Sequence, residues 1–379
     1  MVIVRVKIVL ITNIVPPYRQ RAYGMLASLS CAKGGDFRAI CTHHHEPQRD
    51  WPILTGKFRQ IILPGIKIPL GENRSIAINF GLDRALDDLC PDVLILAGFG
   101  PAQYCAHRYA RRHTIPTVVQ FDGWAQSDRH YQNPIRQCIR SKMITQAKSF
   151  IAAGQNGRDW FARFGIADQN ILIAPIPPSF PPPKQISSLI NRPIDLIWCG
   201  RPTRSKGFDH FLAIARDLHC AGTINAIRII GADHQNAIGQ TLDQYGLTGI
   251  TDLLGHIPPA ELPPHYQHAK LCLLPSNNDA YGITAIEAIS CGTVVLASNQ
   301  LGGARDVLAP SEILPLDQPG QPDQLDIWVK TCTRLLRDHD LWQTTQKSQH
   351  TSIRHNTPDH HANTLWQACQ MATQSIGHL

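Results

Sequence analysis

The sequence predicts an α/β protein of two domains, each built on a parallel sheet. Three observations carry that expectation. The chain has 379 residues, enough for two ordinary domains with a buried core in each. Short, β-rich apolar runs alternate with helix-like segments along most of it, the order that a parallel α/β sheet requires. Near the middle, residues 175–183 hold six prolines in nine positions and interrupt the alternation.

In the first half the expected strands are 2–12, 37–42, 93–97, 117–121, 150–153 and 171–174. They rarely alternate polar with apolar residues, as befits strands buried on both faces. Helix-like patterns lie at 75–89, 102–112 and 136–147. The proline run cannot continue a helix or a central strand, so it reads as an extended, semi-rigid linker. The pattern then restarts with strands at 194–199, 226–230, 251–254, 271–274 and 294–297. Helices are expected at 208–218, 236–245, 261–269, 283–290, 325–337 and 360–373. The resulting division is a first domain over 1–178, a linker over 179–191, a second domain over 192–345, and a closing helical segment over 346–379 that can cross back to the first domain.

Hydrophobic residues make up 43% of the chain and charged residues 17%, which excludes disordered and fibrous classes. No apolar run approaches the roughly 20 residues of a membrane-spanning helix. Arg5 and Lys7 interrupt the apolar opening and no small-residue cleavage site follows, so it reads as a strand and not a signal peptide. The expected location is the cytoplasm. The eleven cysteines agree: the number is odd, no Cys-x-x-Cys occurs, and Cys41, Cys199, Cys272 and Cys291 sit in apolar runs as reduced thiols would. Three adjacent histidines, His43, His44 and His45, cannot all face one ion, and no metal site is expected.

The net charge of +7 is unevenly placed. Up to residue 185 there are 23 Lys/Arg against 12 Asp/Glu; beyond it, 13 against 17. Such asymmetry reads either as a charged partner on the first half, an anionic membrane surface or an acidic glycan, or as scattered solvated charge, with no nucleic acid expected. Within 134–147, Arg136, Arg140 and Lys142 alternate with Ile135, Ile139, Met143 and Ile144 at spacings that can give a helix one basic and one apolar face. Gly98-Phe99-Gly100 lacks the third glycine of a dinucleotide fingerprint and reads as a turn.

Two stretches carry chemistry. In the first, 275–292, a strand ends, a polar loop with Gly282 follows, and a helix begins at Ile283. Free N–H groups at such a helix start favour an anion. Asp279 and Glu287 flank that point; carboxylates so close to an anion site would repel phosphate and so suit neutral hydroxyls, such as the diols of a sugar or ribose. The second stretch, 200–207, places Arg201, Arg204 and Lys206 on a strand-to-helix turn, which suits a diphosphate. It lacks the residue order of a Walker loop. Both stretches follow the carboxyl ends of strands, where open α/β sheets bind ligands.

At these residues the chain resembles the retaining glycosyltransferases of family four, which have the GT-B fold. The family's pattern acid-x-aromatic-Gly-x4-Glu-Ala reads here from Asp279 through Tyr281 and Gly282 to Glu287 and Ala288. Its Gly-Arg and Lys-Gly pairs match Gly200-Arg201 and Lys206-Gly207, and its Gly-Gly-x-x-acid stretch matches Gly302 to Asp306. Ile229-Ile230-Gly231 and Leu254-Gly255-His256-Ile257 fall between them in the family's order. The likeness is close over about 194–308; in the first half it is limited to Pro17-Tyr18-Arg19 and to Ile115-Pro116 before and Asp122-Gly123 after the strand at 117–121. The resemblance implies two Rossmann-like domains facing each other across a cleft. It implies an enzyme that moves a sugar, with retention, from a nucleotide-diphosphate sugar (UDP- or GDP-linked) to a glycan or lipid-linked acceptor, without metal or other cofactor. Work on a lipid-linked acceptor would place it on the inner face of the membrane.

Carried over by position, Arg201 and Lys206 neutralise the leaving diphosphate, Asp279 binds hydroxyls of the donor sugar, and Glu287 holds the ribose. Gly231 and the backbone of Gly282, Ile283 and Thr284 line the donor site, and Tyr18, Arg19 and Asp122 stand on the acceptor side. The sequence departs from the family at Asp279, where Glu is usual, and at Val294, where Pro is usual. A sugar-nucleotide epimerase of the same fold and a non-catalytic sugar-nucleotide or membrane-binding protein are the alternative readings.

Overall fold

A computed structural model of the chain describes residues 5–43, 58–69, 75–129, 133–232, 235–316 and 324–374. It divides into two compact units, Met1–Pro177 with Thr357–Leu379, and Pro178–Asn356. The first unit runs β1 (Lys7–Thr12), α1 (Pro17–Ala32), β2 (Asp36–Cys41), β3 (Arg59–Ile62), β4 (Gly65–Pro69), β5 (Ser75–Asn79), α2 (Leu82–Leu89), β6 (Val93–Ala97), α3 (Pro101–Arg112), β7 (Thr117–Phe121), α4 (Pro134–Gln146), β8 (Ser149–Ala152), α5 (Gln155–Ala162) and β9 (Ile171–Ile173). The second runs β10 (Ile194–Cys199), α6 (Phe208–Cys220), β11 (Ile227–Ile230), α7 (Gln235–Gln244), β12 (Thr251–Leu254), α8 (Leu262–Gln267), β13 (Ala269–Leu274), α9 (Ile283–Ser290), β14 (Val294–Ser298), α10 (Ala304–Val307), β15 (Ile313–Leu314), α11 (Gln324–Arg337) and α12 (His339–Ser352). The last helix, α13 (Pro358–Gln374), returns to the first unit.

The first unit's main sheet is parallel, in the order β3-β2-β1-β6-β7-β8-β9. Strand periodicity sends successive residues to opposite faces. Ile8 and Leu10 of β1 pack with Tyr23 and Leu26 of α1 and Leu365 of α13, whereas Val9 and Ile11 pack with Leu86 of α2 and Ala106 of α3. The second unit's sheet is parallel in the order β12-β11-β10-β13-β14-β15. In each sheet the order reverses at one point, between β1 and β6 and between β10 and β13. Ligands of open α/β sheets bind at the carboxyl edge of such a reversal.

Several local expectations need correction. The helix expected over 75–89 is a strand and a shorter helix: Ser75-Ile-Ala-Ile-Asn79 alternates with period two and pairs antiparallel with β4, and Gly81, at φ +76°, turns the chain into α2. α1 carries no clean amphipathic signal because it is covered by both β2 and α13, and it buries polar Arg19, Gln20 and Ser30 beside Tyr23 and Leu26. The proline run is not a bare spacer, since Ile176 and Phe180 are buried within it.

The basic face expected on α4 is broken. Arg140 is buried and paired with Asp128 at 2.5 Å beneath Phe99 and Trp160, while Ile135 is exposed. The chain re-enters the first unit at Thr357, not at 346, because α12 is tied to the second sheet: Gln349 bonds the N–H and C=O of Val295 at 2.9 and 2.8 Å. Residues 2–4 of the first expected strand and His44 and His45 lie outside the described residues. Among the described residues no helix is long and apolar enough to cross a membrane, and no cluster of His, Cys, Asp and Glu could hold a metal ion.

Candidate functional site

In the second unit both motif loops leave the strands that flank the sheet reversal, one after β10 and the other after β13. They are laced together. Ser205 Oγ donates to Asn278 O at 3.0 Å, the Asn278 N–H donates to Ser205 O at 3.0 Å, and Asn277 Nδ2 donates to Arg204 O at 2.7 Å. Gly207, at φ +74°, lets this approach happen: a Cβ built there would lie 1.7 Å from Pro275 O. Gly207→Ala is therefore expected to cost about 2–4 kcal/mol, the sum of left-handed strain and a backbone clash. Gly222→Ala, at φ +65° with open space around it, isolates the strain alone. Thermal unfolding should show the first variant well below the second; equal losses would remove the close-approach argument.

A third stretch props the acidic loop from behind. The Asp279 N–H donates to Gln300 O at 3.2 Å, Gly302 N–H donates to Asp279 O at 3.1 Å, and Gly303 N–H donates to Tyr281 O at 2.8 Å. A side chain at Gly303 would meet Tyr281 O at 2.7 Å. The Gly-Gly-x-x-acid stretch thus fixes the backbone that presents Asp279.

Within this frame Lys206 Nζ and the Asp279 carboxylate form an ion pair at 2.6 Å. Lys206 reaches it from a short 3-10 turn (Arg204–Lys206), whose N-cap Thr203 Oγ1 accepts the Lys206 N–H. Arg201 lies two residues past β10, half-buried, in the same loop. Gly282, at φ +93°, turns the chain into α9, whose first turn has no side-chain cap, and Thr284 Oγ1 donates to Cys199 O at 3.4 Å. Gly231 packs against Gly200, where a Cβ would lie 3.0 Å from Gly200 O. The structure therefore brings Arg201, Lys206, Asp279, Gly282, Ile283 and Thr284 to one edge, with Gly231 supporting the loop beneath Arg201.

Glu287 stands apart from that surface. It is buried, with Oε1 accepting from the Ser179 N–H and Oε2 from Tyr266 Oη, both at 3.4 Å. Burial pushes its carboxyl up to about 7, the two hydrogen bonds opposing the rise. The sequence pattern places Glu287 near the site and marks Tyr266 as a family landmark, but carries no signal for Ser179; the two touch Glu287 from α8 and from the proline run. A groove of about 570 Å³ opens elsewhere in this unit between Ser187, Trp342 and Lys347, and holds none of the motif residues.

In the first unit Asp122 follows β7, and Arg19 lies in the first turn of α1. The buried Arg19 guanidinium donates to Asp122 Oδ1 at 2.6 Å. Tyr18 has its ring 5.9 Å from that guanidinium. Asp122 is thus an ion-pair partner. No local pattern marks the third member of this group, His361, which contacts Arg19 from α13.

Residues 183–338 match the family model of the group 1 glycosyl transferases. Among curated relatives, the chain is similar to D-inositol 3-phosphate glycosyltransferases. It is 43% identical to that of Geodermatophilus obscurus over 60 residues, 15% of this chain and 13% of the relative. It is 28% identical to that of Corynebacterium urealyticum over 153 residues, 40% of this chain and 32% of the relative. The matched stretches span a third or less of those relatives' length.

Likeness in fold extends over the whole chain. A sucrose-phosphate synthase of Thermosynechococcus elongatus superposes with a TM-score of 0.71 at 16% identity, covering 98% of this chain and 100% of that one. Anabaena HepE in complex with UDP and glucose does so with a TM-score of 0.66 at 13% identity, covering 99% and 100%. Over residues 183–338 its second unit is thus similar to the group 1 glycosyl transferases, and its two Rossmann-like units have the GT-B fold.

Proposed function

We propose that the protein is a retaining, metal-independent glycosyltransferase that takes a sugar from a nucleotide-diphosphate sugar, UDP- or GDP-linked, and passes it to a hydroxyl of a glycan or lipid-linked acceptor. The observation that carries this reading is the Lys206–Asp279 pair at 2.6 Å on the carboxyl edge of the sheet reversal. The ammonium and the carboxylate pair directly. With donor bound, Lys206 and Arg201 turn to the diphosphate and Asp279 accepts from hydroxyls of the sugar. The complex of Anabaena HepE with UDP and glucose supports a donor of this class.

The acceptor hydroxyl attacks the anomeric carbon on the face the diphosphate leaves. The carbon–oxygen bond to phosphate breaks, and a phosphate oxygen takes the hydroxyl proton. Negative charge grows on the diphosphate as that bond breaks, and preorganised cations stabilise it there. Glu287, buried behind the loop, accepts from the ribose hydroxyls. The first unit receives the acceptor at the edge that carries Asp122, and the cation excess of the first half favours an acceptor bearing negative charge.

A thermal-shift screen with UDP-, GDP- and ADP-sugars tests the donor class, because a true donor stabilises the folded protein by mass action. One nucleotide series should raise Tm, and EDTA should leave transfer from that donor intact. A turnover lost to EDTA and restored by magnesium or manganese would contradict the metal-independent reading.

A further inference from the structure

Arg19 is 2% exposed, and such a residue is costly to bury. Three side chains hold its guanidinium. Nη2 donates to Asp122 Oδ1 at 2.6 Å. Gln120, with its amide oxygen turned to the guanidinium, accepts from both terminal nitrogens at 3.1 Å. Nη1 meets the ring of His361. That ring is wholly buried, and its Nδ1 lies 3.0 Å from Pro175 O.

An arginine only donates, so the ring nitrogen that faces it must be unprotonated. With Nδ1–H donating to Pro175 O, Nε2 keeps a lone pair for Arg19, and His361 is neutral in one tautomer. Burial and the adjacent guanidinium hold it neutral, well below its ordinary pKa. The chain from Pro175 O through His361 and Arg19 to Asp122 is thus satisfied at every link.

Only its last member reaches solvent. The Asp122 side chain is 37% exposed against 2% for Arg19, and among the described residues Oδ1 alone has a partner. If burial of the pair served stability only, apolar residues would do as well, since buried ion pairs often contribute nothing net. What the arrangement does provide is a carboxylate held in one rotamer at the carboxyl end of β7, with Oδ2 free to accept a hydrogen bond.

We propose that Arg19 and His361 are positioning residues that hold the Asp122 carboxylate at the carboxyl edge of the first unit, where it orients the acceptor hydroxyl. This rests on the reading of that edge as the acceptor side. It gives the returning helix α13 a part in the reaction through His361.

The test uses the full chain with Arg19→Met, Arg19→Lys, His361→Phe, His361→Gln and Asp122→Asn, and has two arms. Hydrogen exchange needs no acceptor: His361→Phe should speed amide exchange over residues 121–124 at least tenfold, with the second unit unchanged. Unchanged exchange there overturns the positioning role. In the second arm, transfer from the donor found by thermal shift is followed to octyl glucoside. Arg19→Met and His361→Phe should lower kcat about tenfold or raise the acceptor KM as much, with nucleoside diphosphate affinity unchanged. Arg19→Lys and His361→Gln, which keep a donor and an acceptor, should recover part of the loss.

Wild-type kcat and acceptor KM in the folded Arg19→Met protein mean that the pair is structural only, and the proposal fails. If Asp122→Asn keeps wild-type kcat and acceptor KM while exchange in His361→Phe responds as expected, the acceptor-side reading fails and the positioning of Asp122 stands.

Discussion

Lys206→Ala and Arg201→Ala should each lower turnover by about 100-fold or more, the size of effect seen when a preorganised charge is removed from a developing anion. Lys206 is the firmer case. Its ammonium stands 2.6 Å from Asp279 on a loop fixed by three inter-loop hydrogen bonds, so it needs little reorganisation to meet a diphosphate. The side chains of the pair are 33% and 14% exposed, so losing it should move Tm little, as for partly solvated pairs. The effect on the donor should fall on kcat more than on KM, because the charge on the leaving group is greatest in the transition state. Near-normal kcat in both folded variants would remove the diphosphate assignment.

Glu287→Gln should have effects of opposite sign on stability and on binding. The Glu287 carboxyl is raised from an ordinary value of 4.5 to about 7 by burial. In the unfolded chain the proton leaves near 4.5, whereas in the folded protein it stays until about 7. Between those values the folded state binds more protons, so stability falls as pH rises, and the full cost is present above 7. That cost is on the order of 3 kcal/mol at pH 8, and it vanishes below about 4.5. Glutamine is neutral at every pH and avoids it.

The variant should therefore melt several degrees higher than wild type at pH 8 and no higher at pH 4.5. If Glu287 holds the ribose as proposed, nucleoside diphosphate affinity should fall about tenfold or more, since an amide replaces the carboxylate. In wild type that affinity should rise with pH through 7, as the carboxylate ionises. A structural glutamate would give the stability change without the binding change, and equal nucleotide affinity in the variant would show that. A carboxylate kept in a place where it weakens the fold is what a binding role predicts.

The two motif loops of the second unit were legible because their parts are linear. The loop over 200–207 and the loop over 275–287 each carry their residue types in one short stretch, and both follow strands that the apolar runs marked. The third stretch, around Gly302 and Gly303, was legible as a pattern, yet its job of bracing Asp279 and Tyr281 appears only in the hydrogen bonds. What the sequence could not carry is pairing over distance. His361 meets Arg19 across 342 positions, and no local spacing marks either as a partner of the other.

The same limit explains the errors in the fold. α1 lost its helical period because both β2 and α13 pack against it. α4 looked amphipathic because Arg140 was counted as solvated, when Asp128 takes it into the interior. The five residues of β5 were absorbed into a helix because their alternation is too short to outvote the helical pattern of α2 behind them.

Titration calorimetry of UDP, GDP and ADP against wild type and Lys206→Ala tests the central claim most directly, that the edge formed by the loops after β10 and β13 holds a nucleoside diphosphate. One of the three nucleotides should bind wild type at a single site, and Lys206→Ala should weaken it at least tenfold while remaining folded. Binding of equal strength in both proteins, or no binding of any of the three to wild type, would contradict it.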